Sequence, residues 1–250
     1  MIRLRTAWLC LSLLVTLACA VRIACADEPQ RPVKIYANGA ALVSADFINL
    51  LLARGVKQTT DVAEELMGAY TVGQVQTRGR ITADLVPNRH GGIVDVCLRG
   101  RAEAPQNTAY KGSVTVVSSS QTSIDARKRM LVDARGLRML PAVATCRTSI
   151  EVQDVSAGGP IIERFARRRV DRLQSEAEQD ASQRAQQRIA AELDREAQGP
   201  LEQAQAAFLQ KVRQPALECD AFPQHVQVST TDKHLYLKLL HQRSGQHRSR

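Results

Sequence analysis

Aromatic residues are scarce in this sequence, and the signatures of common enzyme classes are missing. Phe, Trp and Tyr together make up 4% of the 250 residues, and the one tryptophan is Trp8. The chain contains no H-E-x-x-H, G-x-S-x-G, phosphate-binding G-x-x-x-x-G-K or calcium-loop pattern, and its five histidines are scattered. The sequence therefore indicates no catalytic, cofactor-binding or metal-binding residue, and it predicts a protein that is not an enzyme.

Long hydrophobic runs are also missing, except at the N-terminus. Arg3 and Arg5 precede an apolar run over 7–20, which is shorter than the roughly 20 residues that a transmembrane helix needs. A second A-x-A site at 24–26 is typical of a cleaved secretory signal. We predict a signal peptide over 1–26 and an exported, periplasmic or secreted protein without a transmembrane segment. A short, uncleaved membrane anchor is the alternative.

Cysteine is infrequent outside that segment. Three of the six cysteines lie within it, which leaves Cys97, Cys146 and Cys219. An odd number in an oxidising compartment leaves a spare thiol if one disulfide forms. The predicted pair is Cys97 with Cys146, because both lie in strong strand patterns, while three buried, unpaired thiols are the alternative. No C-x-x-C pair occurs, so no zinc or redox site is expected.

Positive charge exceeds negative charge, with 34 Lys and Arg against 25 Asp and Glu. Because an exported protein does not ordinarily meet nucleic acid, anionic envelope components are the expected partners, not nucleic acid. The stretch RFARRRVDR would line one side of a helix with arginines. The favoured interpretation is a solvated face paired with nearby acids. The candidates for contact with an anionic surface are Arg164, Arg167, Arg168 and Arg172.

The middle of the chain, 69–155, has the pattern of β-structure. Apolar and charged residues alternate over 93–104 and again over 142–152, which predicts strands with one buried and one wet face. Short turn-rich segments such as 86–92 favour an antiparallel meander that could curl strongly. Thr77-Arg78-Gly79 is expected to form a hairpin turn.

Two further interpretations concern this half of the chain. Arg127 and Arg129 would share one face of an edge strand and guard it against aggregation. Asp61 and Glu64 have the spacing of a short helical turn.

The second half of the chain is helical in pattern, over 160–214. No Gly or Pro occurs from Ile161 to Gln198, so we predict one helix of about 38 residues, ended or kinked at Gly199-Pro200, and a second, short helix after it. Its apolar stripe advances mostly in steps of four residues and drifts about 40° per step, which suits either a helix that wraps over a twisted sheet or a largely solvated helix with thin packing. The expected sheet contacts are Ile162, Phe165, Leu173, Ile189 and Leu193.

The remaining segments complete an α+β domain over 41–240. A polar segment over 27–40 precedes it, and a first helix is expected from Ser44 to near Gly55. A strand–turn–strand pattern at 225–239 predicts a terminal hairpin, and 241–250 is a basic tail.

Several stretches together resemble a family of uncharacterised exported proteins from planctomycete bacteria. They are DLVPN at 84–88, Tyr110 with the following KGSVTV, QRAQQRIAAELD at 183–194 and STTDKHLYLKL at 229–239. The resemblance implies export and the order of β-structure before a long helix, and it transfers no activity and no site residue.

Two functions remain open from the sequence. The first is a non-enzymatic envelope or periplasmic protein with a structural or interaction role. The second is a carrier of an apolar, lipid-like ligand held between the curled sheet and the long helix, where small alanines would leave room for it.

Overall fold

The computed structural model describes residues 39–133, 135–218 and 225–240. The predicted signal peptide, the tail at 241–250, Cys219 and all but the end of the 27–40 segment lie outside the described residues. The strands are β1 (Gly39–Ser44), β2 (Arg54–Leu66), β3 (Ala69–Leu85), β4 (Gly92–Lys111), β5 (Val114–Asp133), β6 (Gly136–Met139), β7 (Val143–Ser156), β8 (His225–Thr230) and β9 (His234–Leu240). The helices are α1 (Ala45–Leu52), α2 (Pro160–Phe208), a π-helical turn (Leu209–Arg213) and α3 (Gln214–Glu218).

The architecture is α+β, with a curled antiparallel sheet and one long helix. The main sheet has the order β2-β3-β4-β5, and β5 then pairs with both β6 and β7. The predicted meander and terminal hairpin are confirmed. The hairpin of β8 and β9 pairs with β1 in a second, three-stranded sheet. No helix in the described part of the chain is long and apolar enough to cross a membrane.

Alternation gives the main sheet an inner and an outer face. On β4, Val94, Val96 and Leu98 belong to the core on the inner face, together with Ile81 and Ala126 on neighbouring strands. The core extends to one end of the sheet, where α1 adds Ile48 and Leu52. The predicted assignment of β4 residues to two faces is confirmed, but the outer face is not wet throughout, because Asp95 and Cys97 on it are buried.

Helix α1 begins where the sequence predicts, because Ser44 caps it by accepting a hydrogen bond from Phe47 N–H at 3.1 Å. The Asn49 side chain of α1 hydrogen-bonds to β3 at a position that β2 does not reach. The Asn49 amide donates to the Ala83 carbonyl and accepts from Ala83 N–H, both at 2.8 Å. A side chain thus replaces the missing strand at this point of the sheet edge.

Helix α2 covers the free edge of β7 with a row of polar side chains. Four helical residues rise about 6 Å, and two strand residues rise about 6.6–6.8 Å, so from Glu178 to Gln186 side chains four apart on α2 meet residues two apart on β7. The pairs are Gln174 and Glu178 with Ile150, Ser182 with Thr148, Gln186 with Cys146, and Asp194 with Ala142, at 2.6, 2.9, 2.9, 3.2 and 2.8 Å. The step-of-four spacing of this helix therefore follows the sheet edge and protects it.

The same helix also reaches the opposite edge strand, β2. Arg184 donates to the Glu65 carbonyl at 2.6 Å, and Arg188 pairs with Glu64 at 2.5 Å. One helix contacts both edges because the sheet curls around it. The predicted curled sheet and long helix are confirmed, and the contact between them is thin, since only Leu193 and Ala197 of α2 are buried among its described side chains.

Glycine and proline explain two errors in the predicted element bounds. Gly79 lies inside the continuous strand β3 and is no turn, and a β-carbon there would lie 2.9 Å from the Arg99 carbonyl oxygen. Close strand approach, not turning, requires this glycine. Helix α2 continues through Gly199-Pro200 to 49 residues, since Ala197 before them is fully buried and Leu201 after them packs on the core.

Other segments also differ from their predicted state. Asp61 and Glu64 lie in β2, because pairing with β3 overrides a local helix-start pattern. The second, short helix predicted after Gly199-Pro200 is not separate, because the chain there continues α2 to Phe208 and then enters the π-helical turn and α3. Strand β5 is central and not an edge, so Arg127 and Arg129 do not guard an exposed edge.

Candidate binding surfaces

The four predicted arginines lie in the first turns of α2 and are all exposed. The Arg167 side chain forms two ion pairs, with Glu163 at 3.1 Å and with Asp154 at 3.3 Å. Arg172 donates to the Arg168 carbonyl at 3.2 Å. Arg164 and Arg168 have no carboxylate within 4.0 Å among the described residues. The structure therefore pairs only part of the cluster with acids.

Apolar side chains lie among these arginines. Ile161 is 73% exposed, Ile162 is 50% exposed and Phe165 is 67% exposed. The prediction that Ile162 and Phe165 contact the sheet is wrong, because the core ends before it reaches this part of α2. We call this surface the helix tip: Ile161, Ile162, Arg164, Phe165, Arg168, Arg169 and Arg172.

A second basic surface lies on the outer face of the main sheet, where sequence reasoning did not place a site. We call it the cation rows: Lys57, Arg78, Arg101 and Arg147 in one row and Arg80 with Arg99 in the next, all exposed. The alternation of β4 indicates that Arg99 and Arg101 share a face. Which residues lie beside them depends on the strand register, which the sequence does not reveal.

Farther along the outer face, arginines serve a structural purpose. Asp95 is only 3% exposed, and Arg129 binds its two carboxylate oxygens at 2.7 and 2.8 Å. This contact raises the pKa of Arg129. Arg127 approaches the same carboxylate at 3.5 Å. These two arginines therefore neutralise a buried acid and offer little to a partner.

The predicted disulfide is not formed. Cys97 and Cys146 are both buried and free. Cys97 is paired with Arg127 and lies on the outer face, whereas Cys146 is paired with Ile124 and lies in the core on the inner face. Alternation along each strand sends the two thiols to opposite faces, with β5 between their strands.

Neither described thiol is suited to nucleophilic chemistry. Burial, and then the nearby Asp84 carboxylate, raise the pKa of Cys97 to about 11. Burial also raises the pKa of Cys146. Both groups are protonated at neutral pH, and the thiolate is the reactive form.

An open hollow lies outside the sheet, at the C-terminal end of α2. It is lined by Ala206, Leu209, Gln210, Arg213, Gln214 and Leu217. The described residues contain no group of three or more His, Cys, Asp or Glu that could hold a metal ion.

Comparison with known proteins finds no match. No family model, curated protein or solved structure matches this chain. The resemblance to exported planctomycete proteins therefore stays a prediction.

Proposed function

We propose that this is an exported, non-enzymatic protein of the envelope or periplasm, and that its helix tip docks on an anionic lipid surface. The observation that carries the proposal is the exposure of Ile161, Ile162 and Phe165 beside arginines. Segments that lie in a membrane interface combine apolar side chains, which enter the headgroup region, with cationic ones, which attract anionic lipids.

The geometry of the helix supports this pairing of chemistries. Ile161, Phe165, Arg168 and Arg172 are spaced at i, i+4, i+7 and i+11, so they share one side of α2. Arg164 and Arg168, without a carboxylate within 4.0 Å among the described residues, are available to phosphate groups. A purely solvated face would not need three exposed large apolar side chains in five residues.

The other residues of α2 support a rigid presentation of this tip. Polar side chains from Gln174 to Asp194 attach the helix to β7, and Leu193 is anchored in the core at 3% exposure. The tip therefore sits at the end of a helix that is fixed elsewhere.

Vesicle binding tests the docking proposal. Cosedimentation with vesicles that contain phosphatidylglycerol should be salt-sensitive and should be lost on pure phosphatidylcholine vesicles. Burying the phenyl ring contributes about 1.5–3 kcal/mol, so Phe165→Ala should weaken binding by about tenfold or more. Leu50→Ala is the matched control, since Leu50 is 79% exposed on α1.

The charges are tested separately. Replacing Arg164, Arg168 and Arg172 with glutamine should abolish the preference for phosphatidylglycerol. Replacing Arg89, Lys211 and Lys233 with glutamine removes the same charge from exposed positions elsewhere and should leave the preference intact. Equal loss in both variants, or a Phe165-dependent dimer in sedimentation velocity without lipid, would contradict docking at the tip.

Export has its own measurement. N-terminal sequencing of the secreted or periplasmic protein should begin at Asp27. An intact N-terminus at Met1 in the membrane fraction would contradict cleavage and show that the segment is a membrane anchor.

The apolar-ligand carrier has weaker support. Leu193 and Ala197 of α2 are buried and belong to the same core as Val96, Leu98 and Ala126 of the sheet. These side chains occupy the space between helix and sheet where a ligand would lie. Organic extraction and mass spectrometry of the purified protein test this alternative, because a carrier would release a lipid.

A further inference from the structure

The first of the cation rows crosses the outer face of the main sheet. Lys57 on β2 is paired with Arg78 on β3, and Arg78 is paired with Arg101 on β4. Arg101 faces Ser123 on β5, and Ser123 faces Arg147 on β7. With strands about 4.8 Å apart, the four steps span roughly 19 Å, with cations on four of the five strands.

The second row lies two residues away along each strand. Arg80 is paired with Arg99, which is paired with Asp125. The two rows therefore contain six cations and one carboxylate, that of Asp125. Like charges placed directly opposite each other destabilise a sheet, so the arrangement works against the fold.

Most of these cations keep their hydrogen-bonding capacity. In the described part of the chain, Lys57, Arg78, Arg80 and Arg147 have no carboxylate within 4.0 Å. The nearest carboxylates of the other two lie at 3.7 Å, Asp84 from Arg99 and Glu103 from Arg101. These long contacts leave the guanidinium groups available to an external anion.

Two glycines bring the central strands together between the rows. Gly79 and Gly100 are paired with each other. A β-carbon on Gly100 would lie 2.4 Å from the Arg78 carbonyl oxygen, and one on Gly79 would lie 2.9 Å from that of Arg99. The backbones thus approach so closely that neither position admits a side chain, and the arginines flank this close approach on both strands.

We propose that the cation rows bind a linear polyanionic polysaccharide, with carboxylate or sulfate groups recurring along a hydroxyl-rich chain. The linear arrangement of cations fits regularly spaced anions. Beside the first row lies a row that is mostly neutral and could hydrogen-bond sugar hydroxyls. Its members are Thr59, Gln76, Glu103, Gln121 and Ser149.

The chemistry of these rows distinguishes this ligand from others. They contain no aromatic side chain, so they offer no platform on which nucleic-acid bases could stack. They also contain no apolar side chain that could enter a bilayer, unlike the helix tip. The two surfaces therefore differ in the class of anion that each one suits.

Titration with polygalacturonate tests the proposal, and neutral dextran is the control ligand. We expect binding that weakens steeply with salt, as in other polyelectrolyte contacts. Replacing Arg78, Arg101 and Arg147 with glutamine should weaken it by about tenfold or more and flatten its salt dependence. Replacing Arg89, Lys211 and Lys233 with glutamine should leave it unchanged.

Three results would overturn the proposal. They are no binding by the parent protein, equal loss in both triple variants, and tighter binding of oligo(dT) than of polygalacturonate.

Melting temperatures separate binding from folding, because removing facing arginines should keep or raise stability. A strongly lowered melting temperature would instead assign these arginines a structural role. Phe165→Ala should not affect polygalacturonate binding, so the helix-tip proposal succeeds or fails independently.

Discussion

The two ends of helix α2 have the same spacing of apolar residues but opposite surroundings. Toward its C-terminal end, Leu193 is 3% exposed and Ala197 is fully buried. At its N-terminal end, Phe165 is 67% exposed. The difference shows that an apolar residue on this helix is buried only where the sheet supplies a core.

The largest expected difference in stability lies between truncation of a buried and of an exposed apolar side chain on α2. Leu193→Ala should lower the free energy of unfolding by about 2–5 kcal/mol, because it removes buried methyl groups and leaves a cavity in the core. Phe165→Ala should change it by less than about 0.5 kcal/mol, as at other exposed positions. Urea denaturation of both variants measures the contrast, and similar losses would show that the helix tip is buried in solution.

A second contrast compares ion pairs at the two ends. Asp194 binds Lys128, which is 6% exposed, and also accepts from Ala142 N–H. Asp194→Ala should cost about 3 kcal/mol, because it leaves a buried ammonium group unpaired. Glu163→Ala, which breaks an exposed pair with Arg167, should cost at most about 1 kcal/mol.

The double variant Lys128→Met with Asp194→Leu sharpens this test. Apolar replacement of both partners should recover most of the lost stability, since no buried charge remains. If thermal melts show no recovery, the loss in Asp194→Ala comes from the Ala142 contact and not from the lysine.

The smallest contrast concerns the polar row that covers β7. Ser182→Ala removes the acceptor for Thr148 N–H and should cost about 1 kcal/mol. Ser175→Ala is the matched control, because Ser175 is exposed on the same helix and should be neutral to within about 0.5 kcal/mol. Hydrogen exchange of the Thr148 amide should accelerate only in the first variant. An unchanged exchange rate would show that α2 does not protect the edge of β7.

Local patterns predicted much of the fold. Alternation along β4 predicts which side chains face the core, and the run without Gly or Pro predicts a long helix. The exposed arginines at the start of α2 were also predictable, because their helical spacing and charge are local properties. The exposure of Ile162 and Phe165 was not, because the same spacing predicts burial wherever a partner surface exists.

The sequence by itself determined the α+β class, the two faces of the strands and the helical nature of the second half. These depend on periodicity within a few residues, which is a property of one element at a time. Only the tertiary structure decided that Gly79 lies within a strand, that Cys97 and Cys146 point to opposite faces, and that Arg78 faces Arg101. Each of these depends on register between strands, and register is set by contacts between residues that are distant in the chain.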